Sequence, residues 1–310
     1  MFGPHVHRAN KAARRNIVER IEEERARARA EGFDARGFQI FVAGPRSQTL
    51  TLRDAEVGQL RGLVDADPGL RVIAHGTYLD YPWYGKPFPA KFIRRELDLC
   101  ARAGIAGLVI HLGKPDVSEV VKYLPNLLAG HPAAGHPRPL LYLETPHVKP
   151  ENSLYETPEK LGKLFRAIRE KEDPRLCRLG LCVDTAHLWS CGVDLQSYEA
   201  ADAWLTRLAG EADAIPFDRL MFHLNDSHDE CGSGLDHHAA LLEGKIWKDY
   251  AGAPQDSGLA AFVDFVERHD LVAILERNGQ PEELRADLNA DYGVLRRLAF
   301  YSALPVKDTE

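Results

Sequence analysis

Six histidines and carboxylates occupy one kind of place in this chain, the residue at which a short apolar run ends. They are RVIAHG at His75, GLVIHLG at His111, LLYLETP at Glu144, GLCVDTAH at Asp184, LMFHLND at His223 and VAILERN at Glu276. Neutral imidazole nitrogen and carboxylate oxygen are the donors that zinc and manganese take. A single histidine at the end of an apolar run is more often a hydrogen-bonded polar residue than a ligand. Six residues at equivalent places are different, because independent structural histidines have no reason to prefer such ends. Three carboxylates and three histidines on one rim repel and desolvate one another unless cations stand between them. Their number exceeds the three or four protein ligands of one zinc ion, so at least two ions are implied.

Two further patterns enlarge the set. Asp184-Thr-Ala-His187 puts a histidine one turn beyond a strand-end carboxylate. In Asp236-His237-His238, an extended chain turns Asp236 and His238 to the same side. His187, Asp236 and His238 form a three-donor set for a third ion, with a position left open for water or phosphate. His131, His136 and His269 read as loop or helix-end surface residues. His5 and His147 lie near the rim, where they would support ligands by hydrogen bonding.

These residues need a scaffold that brings distant strand ends together. Continuous runs rich in Val, Ile, Leu and Phe near residues 2–7, 37–43, 71–75, 106–111, 139–144, 179–184, 219–224 and 271–276 predict strands buried on both faces. Helical patterns fall near 11–31, 53–66, 88–103, 115–129, 154–171, 196–210, 256–269 and 281–300. Strand then helix, repeated about eight times, argues a parallel sheet, and a closed (β/α)8 TIM barrel forming one domain over 1–310 is the economical solution. A doubly wound open sheet is the alternative, but no Gly-rich phosphate turn follows the first strand. Two long loops, 76–88 and 225–255, follow strands and are expected to be functional.

Composition narrows the setting. With 45% hydrophobic residues in 310, there is ample material for a core. No run of eighteen apolar residues spans a membrane, and the opening MFGPHVHRANKAARR lacks a secretory apolar region. Five cysteines without a CxxC pair suit reduced thiols in a cytoplasmic or otherwise intracellular protein. The net charge of −7 argues against a broad basic coat for nucleic acid. Acidic residues concentrate in predicted helices such as IVERIEEERARARAEG, where i,i+4 pairing is expected. Post-strand loops instead carry Arg46, Lys86, Lys114, Lys149, Lys245 and Lys248. Either these make one end of an acidic body positive, or they are scattered solubility charge.

LGLCVDTAHLWSCGVDL and MFHLNDSHDECGSGLDHHAALLEG resemble two signature stretches of the endonuclease IV family of apurinic/apyrimidinic (AP) endonucleases. His75 followed by Tyr78-Leu79, then His111, Glu144 and Glu276, are similar to the remaining landmarks in order, so the resemblance runs from about residue 2 to 280. It implies a TIM barrel with a trinuclear zinc centre, manganese being possible at one or more positions. His75, His111 and Glu144 would hold one ion. Glu144 would bridge to a second, held by Asp184, His223 and Glu276, and His187, Asp236 and His238 would hold the third. The implied reaction is hydrolysis of the phosphodiester 5′ to an abasic site in double-stranded DNA, leaving a 3′-hydroxyl. Glu144, Asp184 and Glu276 would be the catalytic carboxylates. Arg46, Tyr78 and Leu79 fall where the family inserts side chains into the duplex. There are departures. RANKAARRN replaces a small, Gly-rich stretch after the first strand, His237 replaces an arginine, and Leu-Gly-Lys follows His111 in place of Pro-Gly-Ser. No departure removes a ligand. A sugar isomerase or epimerase of the related barrels is the enzymatic alternative, matching Glu144, Asp184, His223 and Glu276 but not needing the other donors. A non-catalytic metal-bearing protein that binds damaged DNA is the third reading.

Overall fold

Each of the eight apolar runs forms a strand, and each is followed by at least one helix. The structure is a computed structural model that describes residues 1–7, 16–78, 82–85, 87–129, 139–277 and 281–302. The strands are β1 (Phe2–Val6), β2 (Gly37–Phe41), β3 (Arg71–His75), β4 (Gly107–His111), β5 (Leu140–Glu144), β6 (Leu179–Asp184), β7 (Leu220–His223) and, after two short strands β8 (Asp226–Ser227) and β9 (His238–Ala239), β10 (Val272–Leu275). The eight long strands are all parallel and close in the order β1-β10-β7-β6-β5-β4-β3-β2. Around them lie α1 (Ile17–Ala30), α2 (Asp54–Ala66), α3 (Pro87–Ala103), α4 (Val117–Leu127), α5 (Pro158–Arg169), α6 (Thr185–Ser190), α7 (Tyr198–Gly210), α8 (Gly258–Arg268) and α9 (Pro281–Ser302). This is a TIM barrel, as expected. Among the described residues, no helix is long and apolar enough to cross a membrane. All five cysteines are free.

Local chemistry sets the helix starts. Asn16 accepts from Val18 N at 2.9 Å and so caps α1. Asp116 and Glu119 cap α4 reciprocally, at 2.9 and 3.1 Å. The ion pairs expected at i,i+4 in α1 are instead the i,i+3 pairs Arg20–Glu23 and Glu24–Arg27. Glu24 also accepts from the Tyr292 hydroxyl of α9, at 2.9 Å.

The pleat explains why the six strand-end residues share one space. Ile73, Val109, Tyr142, Cys182, Met221 and Ile274 pack together as a small core of their own, separate from the large core under the helices. Two residues on along each strand lie His75, His111, Glu144, Asp184, His223 and Glu276. Side chains two apart point to the same face, so an apolar floor inside the barrel carries the polar rim above it. Tyr142 fills that floor because Gly107 and Gly180 leave room. A Cβ at either glycine would lie 2.4 or 2.6 Å from its ring.

Candidate metal centre

The register places His111 beside Glu144 and Asp184 beside His223. Glu144 is the hub. Its Oε2 lies 3.2 Å from His75 Nε2 and 3.0 Å from His111 Nε2, and its Oε1 lies 2.7 Å from His223 Nδ1. His223 Nδ1 is also 3.2 Å from Glu276 Oε2 and 3.7 Å from Asp184 Oδ2. A second group stands alongside. Asp184 accepts from His187 N at 3.0 Å, capping α6 and setting His187 beyond the strand end. Asp236 Oδ1 lies 3.3 Å from His187 Nε2 and 2.8 Å from His238 Nε2, and that ring is 3.7 Å from Asp184 Oδ2. Antiparallel pairing of Ser227 with His238 in β8–β9 pins the loop that carries Asp236 and His238. All nine predicted ligands are therefore brought together.

Hydrogen bonds fix the face that each ring presents. His75 Nδ1 donates to Gly76 O at 2.8 Å, and His187 Nδ1 to Thr145 O at 2.7 Å. Carbonyl oxygens only accept, so in the neutral rings the lone pair is on Nε2, facing a carboxylate. Gln39 does the same for His223. Its amide nitrogen is spent on Glu276 Oε1 (2.6 Å) and His5 Nδ1 (3.0 Å), so its oxygen takes the proton of His223 Nε2 at 2.8 Å. The His223 Nδ1 lone pair then faces Glu144 and Glu276.

Lone pairs facing carboxylates repel unless a proton or a metal ion intervenes. Burial by itself would lower the His75 and His238 pKa values, but Glu144 beside His75 and Asp236 beside His238 raise them to about 9. Burial would likewise raise the Glu144 and Asp236 carboxyls. His111 and His223 around Glu144, and His187 and His238 around Asp236, hold both well below the usual carboxylate range. The cluster thus demands positive charge. Asp236 Oδ1 gives the clearest sign of its form. It is buried and, among the described residues, has no hydrogen-bond partner, although His238 Nε2 approaches to 2.8 Å. A close contact without hydrogen-bond geometry is compatible with two ligands of one cation. The triads His75–His111–Glu144, His75–His223–Glu276 and Asp184–His187–His238 each offer donor atoms within 4.8 Å of one another.

Supporting residues differ in how visible they were. His5 lies 3.5 Å from Glu276 Oε1, and burial lowers its pKa to about 3. His147 lies 3.8 Å from Asp236 Oδ2, and burial followed by the neighbouring His187 lowers its pKa to about 4. Both stand beside predicted ligands, but only His5 is within hydrogen-bonding distance of one; His147 is beyond it. Gln39 and Asn225 were missed. Asn225 Nδ2 donates to Asp184 Oδ2 at 2.8 Å, and Asn225 Oδ1 accepts from Glu276 N and Arg277 Nη1, each at 2.9 Å. A buried amide inside an apolar strand was the only signal for Gln39. Asn225 has its place beside Asp226 in the matched motif.

A cavity of about 950 Å³ opens over the predicted ligands, lined also by His5, Arg46, Tyr78, His147 and Arg277. Tyr78 is 40% exposed. It stacks on His111 at 5.1 Å and meets His75 edge-on at 5.3 Å. Leu79 lies outside the described residues, as do Lys86, His131 and His136. A second cavity, about 510 Å³, shares His111 and His147 with the first and carries Lys114 and Lys149. Of the two readings of the loop cations, a basic rim is met only in part. Lys245 pairs with Glu230, and Lys248 lines neither cavity. His237 is turned outward onto Asp229, at 3.1 Å. His269 packs on Phe217 and Phe265 at a helix end.

Comparison with known proteins agrees with the barrel fold. The family model for the xylose isomerase-like TIM barrel matches residues 26–270. A probable AP endonuclease of African swine fever virus is 42% identical over 269 residues, covering 86% of this chain and 88% of the viral protein. Endonuclease 4 of Thermus thermophilus is 30% identical over 281 residues, covering 88% and 91% of the two chains. A solved structure described as AsfvAP:AG superposes with a TM-score of 0.88 at 38% identity, covering 96% of this chain and 99% of that one. With that agreement in sequence and in shape, the chain belongs to the endonuclease IV family of AP endonucleases, within the xylose isomerase-like TIM barrels.

Proposed function

We propose that this protein is a DNA-repair AP endonuclease that hydrolyses the phosphodiester 5′ to an abasic site in duplex DNA, leaving a 3′-hydroxyl, with three divalent ions per chain. The carrying observation is the convergence of nine donors into two adjoining groups, one around Glu144 and one around Asp236. His75, His111 and Glu144 would hold one ion, Glu144 with Asp184, His223 and Glu276 a second, and His187, Asp236 and His238 a third. Zinc fits these donors, and manganese fits the positions rich in carboxylate. When bound, such ions supply Lewis acidity: a lowered pKa for the attacking water and compensation of charge on the phosphoryl and leaving oxygens.

The chain's own residues supply position. Gln39 and Asn225 hold Glu276 and Asp184 with amide protons, so these carboxylates keep one orientation at the reacting phosphate. An abasic nucleotide has no base to unstack, so turning it toward the cavity costs less than turning out an intact one. Tyr78 and Leu79 would fill the gap left in the duplex, and Arg46 would meet a phosphate at the cavity mouth. Lys114 and Lys149, which line the adjoining cavity, would meet a flanking phosphate.

A sugar isomerase needs only the donors around Glu144, Asp184, His223 and Glu276. The His187–Asp236–His238 group favours the nuclease. The test is cleavage of an abasic duplex beside an intact control, before and after chelation, with metal analysis of the purified protein. Nicking of the abasic strand alone, lost on chelation and accompanied by about three ions per chain, supports the proposal. One ion or fewer defeats the three-ion centre. Full metal content and DNA affinity without cleavage identify a binding protein instead.

A further inference from the structure

We propose that His147 is a fourth protein donor to the ion held by His187, Asp236 and His238, closing from the protein side a position that three ligands leave open. The proposal rests on the reading of this rim as a metal centre. His147 follows Glu144 in the tetrapeptide Glu144-Thr145-Pro146-His147, and each functional member of that segment meets the donor set. Glu144 is the hub of the first group, Thr145 O fixes the His187 ring, and His147 reaches the second group. Pro146 restrains its own φ and favours extended backbone at Thr145, so His147 is held at a set offset from Glu144.

The geometry favours ligation over hydrogen bonding. The His147 ring centroid is 4.9 Å from that of His187 and 5.9 Å from that of His111. One donor atom from each of His147, His187 and Asp236 falls within 4.8 Å of the others, as in the triads that contain the predicted ligands. His147 Nδ1 lies 3.8 Å from Asp236 Oδ2, too long for a hydrogen bond but compatible with two ligands of one ion. Among the described residues, no hydrogen bond is made by either ring nitrogen, whereas His75, His187 and His223 each donate one proton to a carbonyl oxygen. A half-buried imidazole with both nitrogens uncommitted, facing an acidic oxygen on the cavity wall, is available as a donor. Three-ligand zinc sites keep an open place for substrate, while four-ligand sites retain their ion without it. His147 therefore retains the third ion in the DNA-free enzyme, and its side chain, 33% exposed, is free to leave when a phosphate oxygen takes its place.

Three substitutions test this on the intact protein, with metal content and chelator competition as readouts: His147→Ala, His147→Gln and His147→Cys. Gln keeps hydrogen-bonding capacity but is a poor zinc ligand, whereas Cys supplies a thiolate. The unaltered protein is expected to keep about three zinc ions through dialysis. The Ala and Gln variants are expected to keep two and to bind the third more weakly by over about 100-fold, beyond the 10–100-fold typical of groups that only support a ligand. The Cys variant is expected to keep three and, when loaded with cobalt(II), to show a thiolate-to-metal charge-transfer band that only direct ligation produces. Retention of the third ion within about tenfold by the Gln variant, or a Cys variant without that band, overturns the proposal. Unaltered protein that holds one ion or fewer overturns the metal-centre reading itself, a result distinguishable because it precedes any comparison of variants.

Discussion

Gln39 accepts the Nε2 proton of His223 at 2.8 Å, and that contact turns the other ring nitrogen toward Glu144 and Glu276. The same amide donates to Glu276 Oε1 at 2.6 Å, so one uncharged side chain orients two proposed ligands. Gln39→Leu suits the apolar strand around it and removes both contacts. We expect metal affinity to fall about 10–100-fold with the barrel retained. Chelator competition beside circular dichroism checks this, and unchanged affinity would show that the contact is incidental.

Glu144 and Tyr78 should fail differently. Glu144 contacts His75, His111 and His223 at once, so Glu144→Gln should lower the cleavage rate at saturating DNA by about 10³-fold or more, as when a group organising transition-state charge is lost. Tyr78 stands on the cavity wall, and Tyr78→Ala should mainly weaken binding of abasic duplex. Single-turnover rates across a DNA titration separate the two effects. Equal losses at saturation would contradict this division.

Removing metal should expose a pH dependence. His75 and His238 move from an ordinary value of 6.5 up to about 9 in the folded, metal-free site. The folded state then binds more protons than the unfolded state between those values. The resulting stabilisation is complete below about 6.5 and is lost as pH rises through about 9. Thermal melts of chelated protein should therefore fall in midpoint across that window. The metal-loaded protein should show less decline, because ions occupy the place of the protons, and loading near neutral pH should release protons measurably. A chelated protein whose midpoint is flat over that window would refute the claim.

Behind Glu276, the fully buried Arg277 donates to Asp291 Oδ2 at 2.7 Å, and Asp291 also accepts from Leu241 N at 2.8 Å. This pair joins β10 and the adjoining Glu276 to α9 and to the 225–255 loop. Arg277→Met leaves a buried carboxylate without its ionic partner, and we expect a loss of about 3–5 kcal/mol in unfolding free energy by denaturant titration. The double variant with Asp291→Leu should recover part of that loss. If it does not, packing rather than charge holds the junction.

The architecture was legible because a parallel barrel writes itself as short apolar runs alternating with amphipathic helices. The proposed ligands were legible because six of the eight runs end in one. Period-two alternation then carries His75, His111, Glu144, Asp184, His223 and Glu276 to the inside, two residues beyond the apolar floor. Motif spacing extended the set to His187, Asp236 and His238.

What stayed hidden depends on neighbours across the barrel. Gln39 is one amide in GFQIF, and no local pattern says that it reaches His223 from β2 or Glu276 beyond β10. Asn225 is one polar residue among several after β7, until its amide is seen between Asp184 and the backbone of Glu276. The lone pairs presented by His75 and His187 follow from carbonyl groups at Gly76 and Thr145 that the ring either reaches or does not. Residue type and strand period determine which side chains arrive at the rim. Which atom each presents is decided by long-range hydrogen bonds, whose short range and directionality only the closed barrel satisfies.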